Sequence, residues 1–146
     1  MRIADILKQK GNVVHSVPPE TTLKDVVDKL ITCRVGSLLV IEEGGGLAGI
    51  ITERELIRSL HKLGNDWQGL SVSEVMSRNV IIGALEDSLD AVMELMVRRR
   101  VRHLPVMDGE HLAGVLSMGD IVKASLTETQ FQNQLLKSYI RNWPDE

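Results

Sequence analysis

The sequence predicts an α/β (α+β) fold in which one β-α-β-β-α unit is built twice. The two copies pack about a pseudo-twofold axis, with a helix before them and a helical extension behind. Two observations carry this. Leu23, Val26, Val35, Leu38 and Val40 recur as Leu89, Val92, Val101, Leu104 and Val106 at a constant spacing of 66. Leu47-Ala48-Gly49-Ile50-Ile51-Thr52 recurs as Leu112-Ala113-Gly114-Val115-Leu116-Ser117 at 65, because the first glycine turn (Gly44-Gly45-Gly46) is one residue longer than its counterpart. A third observation is that such a unit, three strands with helices on one side, cannot bury its apolar face alone, whereas two stacked units can. The chain therefore divides into a first repeat with its N-terminal helix (1–66), a linker and second repeat (67–126), and a C-terminal extension (127–146).

Ile3, Ile6 and Leu7 lie on one side of a short helix over 3–9, which Gly11-Asn12 stops. Val13 to Val17 reads as a brief strand ended by Pro18-Pro19. Thr21 or Thr22 caps a helix carrying Leu23, Val26, Val27, Leu30 and Ile31 at helical spacing. Ser37 to Ile41 is apolar without alternation, which predicts a strand buried on both faces. The three glycines turn the chain into a second strand, Leu47 to Thr52, and a helix with Leu56, Ile57, Leu60 and Leu63 follows from Glu53. Residues 64–70 form the linker, and Ser71 with Glu74 matches a capping box opening a short helix through Val75 and Met76. The second copy predicts a strand at Val80 to Ile82, a helix from Ser88 to about Arg99, strands over His103 to Met107 and Ala113 to Ser117, and a helix from about Gly119. Phe131, Leu135, Leu136, Tyr139 and Ile140 keep helical spacing beyond the repeat. That extra face either covers the core or contacts another subunit. In each repeat the strand-helix-strand portion implies a parallel pair and the glycine turn an antiparallel hairpin.

Composition narrows the function classes. The 146 residues suffice for a substantial core, which must be aliphatic because aromatics are only 3%. A net charge of -3 gives no reason to expect nucleic acid or an anionic membrane as a partner. Scarce aromatics also argue against base stacking. Cys33 is alone, so no internal disulfide can form, which fits a reducing cytoplasm. The N-terminus lacks an apolar signal segment, and no run approaches a membrane span. Catalysis has little support. Gly44-Gly45-Gly46 lacks the Lys-Ser/Thr of a phosphate loop, Cys33 has no placed base, and His15, His61, His103 and His111 show no metal-ligand spacing.

Each half resembles a cystathionine-β-synthase (CBS) domain, and the whole a tandem CBS pair of the small stand-alone bacterial kind. The matching text is Gly49-Ile50-Ile51-Thr52-Glu53-Arg54-Glu55, its second form Gly114-Val115-Leu116-Ser117-Met118-Gly119-Asp120, and the strand phrase Val101-Arg102-His103-Leu104-Pro105-Val106. Coverage runs from about residue 3 to residue 125. The resemblance implies a non-enzymatic regulatory module that binds adenosine-containing ligands (AMP, ADP, ATP, NAD or S-adenosylmethionine) in clefts between the halves. By position it implies that Thr52 with Glu55, and Ser117 with Asp120, hold ribose and phosphate. It places Arg102 and His103 near phosphate, with Arg54 serving similarly. Val14, Leu38, Ile82 and Pro105 would line an adenine slot. A carboxylate at a helix start can accept two charge-assisted bonds from a cis-diol, and the helix N-terminus favours phosphate. Glu55 departs from the family's usual Asp by one methylene.

Plainer readings stand beside these. Thr52 and Ser117 suit ordinary N-caps, with Glu55 and Asp120 favourable to the helix dipole. Arg98-Arg99-Arg100 suits a solvated helix end, and the four apolar residues suit core packing. The expected partners are an adenine nucleotide, a second copy in a homodimer and a regulated protein of unknown identity. The alternative is a dimerisation or protein-interaction module that needs no nucleotide.

Overall fold

The computed structural model describes residues 1–11 and 13–141, with the side chains of 139–141 left aside. The elements are α1 (Ile3–Lys10), β1 (Ser16–Val17), α2 (Leu23–Cys33), β2 (Ser37–Ile41), β3 (Leu47–Thr52), α3 (Glu53–Leu63), β4 (Gly83–Ala84), α4 (Leu89–Arg99), β5 (His103–Asp108), β6 (His111–Ser117) and α5 (Met118–Arg141). A 3-10 segment over Gly64–Gly69 and another over Val72–Glu74 join the halves. The sheets have order β1-β2-β3 and β4-β5-β6, each with a parallel outer pair and an antiparallel hairpin.

The repeat is visible in detail. Thr22 Oγ1 accepts from Asp25 N at the start of α2, and Ser88 Oγ accepts from Ala91 N at the start of α4. Leu23, Val26 and Leu30 face inward from α2, as Leu89, Val92 and Met96 do from α4. Both helices end on an arginine in the left-handed conformation, Arg34 at φ 56° and Arg100 at φ 55°. Both hairpins shift register at the same place, between Val40 and Ile41 and between Val106 and Met107.

The lead-in to each repeat packs on the other one. Ile3, Ile6 and Leu7 of α1 are buried with Leu89, Val92, Met96, Leu104 and Leu116. Val72 and Met76 are buried with Leu23, Val26, Leu38, Val40 and Ile51. Backbone bonds repeat this exchange: Ile3 N donates to Asp87 O and Leu89 N to Met1 O, while Val72 N donates to Thr21 O and Leu23 N to Leu70 O. Chain order groups α1 with the first repeat, but packing joins it to the second. Each half thus completes its core only with a segment of the other, so the halves are held face to face.

Four expectations change. The strand placed at Val80 to Ile82 lies instead at Gly83–Ala84, and the one placed at 13–17 shortens to Ser16–Val17. Pro105, whose missing N–H suits it from sequence to a sheet edge, sits buried in β5, the central strand. Pro105 accounts for the late start of β4. In the first half Leu39 N donates to His15 O. Pro105 stands where Leu39 does and has no N–H, so the β4 ladder begins only at Gly83, opposite Val106. Finally, the C-terminal extension is a continuation of α5 rather than a separate helix, and residues 142–146 lie outside the described residues.

Candidate functional site

The strand β3 runs directly into α3 and β6 into α5, so both clefts are edged by a helix start. At the first, Glu55 accepts from Thr52 N at 2.8 Å and from the Thr52 hydroxyl, and Arg54 N donates to Thr52 Oγ1 at 3.3 Å. At the second, Asp120 Oδ2 accepts from Ser117 N at 2.8 Å and Ser117 Oγ accepts from Asp120 N at 3.1 Å. The carboxylates are therefore capping groups at the two helix starts, with further lone pairs to offer a ligand.

The first cleft is a cavity of about 170 Å³ between the halves. It brings together Thr52, Arg54 and Glu55 from the first repeat with Arg100, Arg102 and His103 from the second. Ile81, Val80 and Asn79 form its other wall. Because Pro105 has no N–H to offer, the Ile81 carbonyl is not drawn into the β4–β5 ladder there.

The second cleft, about 280 Å³, is related to the first by the pseudo-twofold axis. Ser117 and Val115 face Arg34, Gly36 and Ser37, and Lys10, His15 and Leu39 close the sides. His103 reaches both cavities. Asp120 does not line the second cleft. It lies behind Lys10, whose Nζ binds Asp120 Oδ2 at 2.6 Å and Val115 O at 2.7 Å. Burial opposes ionisation of Asp120, but the Lys10 and Ser117 hydrogen bonds outweigh it and hold the carboxyl below its ordinary value. Burial pushes the His103 imidazole below its ordinary value, and the charges of Lys10 and Arg102 add to this against Asp120 and Glu53.

Of the residues expected to hold an adenosine ligand, Thr52, Arg54, Glu55, Arg102 and His103 meet in the first cleft and Ser117 lines the second. The apolar four do not line either. Leu38 is 1% exposed and belongs to the core, because strand alternation turns its neighbour Leu39 to the cleft instead. Ile82 is 50% exposed, and Val80 and Ile81 take its place. Val14 lies between Val13 and His15, which line the second cleft while it does not. Pro105 is enclosed in its sheet. Lys10, Arg34 and Arg100 were not anticipated. Arg34 and Arg100 stand at the repeat spacing of 66, and that spacing applied to the Arg100–His103 phrase would have pointed to Arg34–Ser37. Nothing in the local sequence foretells Lys10, which acts across the fold.

The sequence profile of the CBS domain matches residues 3–62 and 72–127. The CBS domain-containing protein CBSX3, mitochondrial, of Arabidopsis thaliana is 31% identical over 95% of this chain and 71% of its own length. The crystal structure of the CBS-domain containing protein ATU1752 from Agrobacterium tumefaciens superposes with a TM-score of 0.82 at 34% identity, covering 86% of this chain and 99% of that one. The crystal structure of CBSX2 in complex with AMP gives a TM-score of 0.74 at 26% identity, covering 88% and 98%. Duplicated sheets, crossed lead-ins and paired clefts agree with these matches: the chain belongs to the CBS-domain family and carries two copies of the domain.

Proposed function

We propose that the chain is a non-catalytic sensor, taking an adenosine-containing ligand (AMP, ADP, ATP or NAD) in the clefts between its repeats and signalling to a partner protein. One observation carries this reading. At matched positions of the two repeats a hydroxyl and a carboxylate, Thr52 with Glu55 and Ser117 with Asp120, converge at a helix start on the seam. An ordinary cap needs no cleft beside it, yet here both caps have one. The AMP complex of CBSX2 supports the ligand class by similarity. A ligand spanning the seam stiffens the contact between halves, and signalling then requires that it bind one state of the pair more tightly than another.

The test is thermal unfolding with AMP, ADP, ATP and NAD. A ligand at 100 times its dissociation constant adds about 2.7 kcal/mol, a rise of several degrees at this size. Loss of most of that shift in Asp120→Ala supports the reading. No shift with any adenosine ligand overturns it.

A homodimer is proposed alongside. Among the described residues Ile57, Leu60 and Leu63 of α3 and Val122, Leu126, Phe131, Leu135 and Leu136 of α5 are apolar and exposed. Ile57 and Val122 occupy equivalent positions of the two repeats, which suits the self-complementary contact of a twofold dimer. Ile57→Glu with Leu135→Glu should then give a monomer in light scattering. The same face favours the alternative of an interaction module without nucleotide, which takes over if no ligand binds. Among the described residues no helix is long and apolar enough to cross a membrane. A reducing cytoplasm is the compartment proposed, with no role for nucleic acid or membrane.

A further inference from the structure

On the reading that the clefts take adenosine ligands, we propose that the second cleft is selective for phosphate-bearing ones. Lys10 would exchange Asp120 for the phosphate as the ribose takes the carboxylate, and Arg34 would supply a second cation.

The two clefts differ in charge. Arg54, Arg100 and Arg102 around the first are accompanied by Glu53 and Glu55. The second is lined by Lys10 and Arg34 with no carboxylate among its lining residues. Of the acids near it, Asp120 is already bound to Lys10, and Glu53 stands on the far side of Gly36, lining the first cleft. A neutral adenosine whose ribose took Asp120 would separate that ion pair and leave the ammonium with the Val115 carbonyl but no anion. A phosphorylated one replaces the lost partner, since ammonium and guanidinium both bind phosphate oxygens through charge-assisted hydrogen bonds. A sulfonium ligand such as S-adenosylmethionine brings a further positive charge to a cationic wall and is disfavoured.

Two further observations agree. Arg34 has a left-handed backbone at φ 56°, a conformation that glycine adopts without penalty and that costs other residues about 1–2 kcal/mol. A long cation stands there despite that cost. The cavity, about 280 Å³, also falls just below the roughly 300–1,000 Å³ typical of ligand pockets. Lys10 lines it and covers Asp120, so moving that side chain aside would add room and open the carboxylate together.

Isothermal titration of the full chain with AMP, adenosine and S-adenosylmethionine tests this, the second cleft being identified as the binding step that Asp120→Asn removes. AMP should bind that step at least about tenfold more tightly than adenosine, the scale of one charge-assisted bond, and S-adenosylmethionine more weakly than AMP. Lys10→Met should erase about tenfold of the AMP preference while adenosine binds as well or better. Arg34→Gly should lower it several-fold, and glycine suits the backbone there, so its loss is not a folding defect. Lys10→Arg should keep the preference. Equal affinities for AMP and adenosine, tighter S-adenosylmethionine, or adenosine binding with no step lost in Asp120→Asn would each overturn the phosphate inference while leaving adenosine binding intact. If no adenosine ligand binds at all, the sensor reading itself falls.

Discussion

Leu7 of α1 packs against Gly114 of β6, in the opposite repeat, so closely that a Cβ at Gly114 would lie 2.9 Å from the Leu7 Cδ2 methyl. Met76 meets Gly49 of β3 in the same way, its sulfur 2.7 Å from a Cβ built there. The pair of contacts is the crossed packing in miniature: a lead-in side chain seated on a strand glycine of the other half.

Alanine at these glycines tests the crossing, and the two should differ. At Gly114 the obstacle is a methyl at the end of a flexible side chain. At Gly49 it includes the Ser77 backbone carbonyl, 2.6 Å away and held by the exchange of bonds between Ile50 and Ser77. Overpacking costs about 1–3 kcal/mol, so Gly114→Ala should fall near the lower bound and Gly49→Ala near or above the upper. Urea unfolding of the two variants measures this. Equal losses would mean that the backbone contact yields as readily as the methyl.

The Lys10–Asp120 pair predicts acid sensitivity. A carboxyl held below its ordinary 3.8 stabilises the fold fully above that pH. The contribution fades as pH falls from 3.8 through the lowered folded value. Asp120→Asn keeps an oxygen for Ser117 N but loses the charge, so its unfolding free energy should fall less steeply with acid than the wild type's. At neutral pH the half-exposed pair is worth no more than about 1 kcal/mol.

His103 predicts a second, milder window. Its imidazole is held below the ordinary 6.5, so as pH drops from 6.5 the unfolded chain takes up the proton first and stability declines. The decline ends once the folded protein protonates as well. His103→Gln removes it, and melting temperatures at pH ~7.5 and ~5.5 should lie closer together in the variant than in the wild type. An equal spread in both proteins would show that the imidazole is not the source.

Arg34 and Arg100 predict a stability gain at the clefts' expense. Relief of left-handed strain, less the greater freedom glycine has when unfolded, leaves roughly 0.5–1 kcal/mol in favour of Arg34→Gly and of Arg100→Gly. Arg34→Ala retains the Cβ and should bring no such gain. Chemical denaturation of the three variants separates strain from the mere loss of an arginine.

Much of the fold was legible because duplication doubles every local signal. The caps at Thr22 and Ser88, the inward faces of α2 and α4, and both hairpins follow from spacing and residue type within a dozen residues. The β4 position was not, because it depends on an N–H that Pro105 lacks in another strand. Val14, Leu38 and Ile82 each stand one residue from a position that lines a cleft, as Leu38 does from Leu39, since a run that is apolar on both sides does not say which side faces the cleft.

The sequence by itself determined that the chain holds two like units and that a hydroxyl and a carboxylate stand at the start of each final helix. Only the tertiary structure decided that α1 belongs to the second core, which is what brings Lys10 onto Asp120, 110 residues away. Local pattern records which face of an element is apolar. It carries no record of which distant surface covers that face, because many aliphatic surfaces bury it equally well and the choice is made by the shape of the whole.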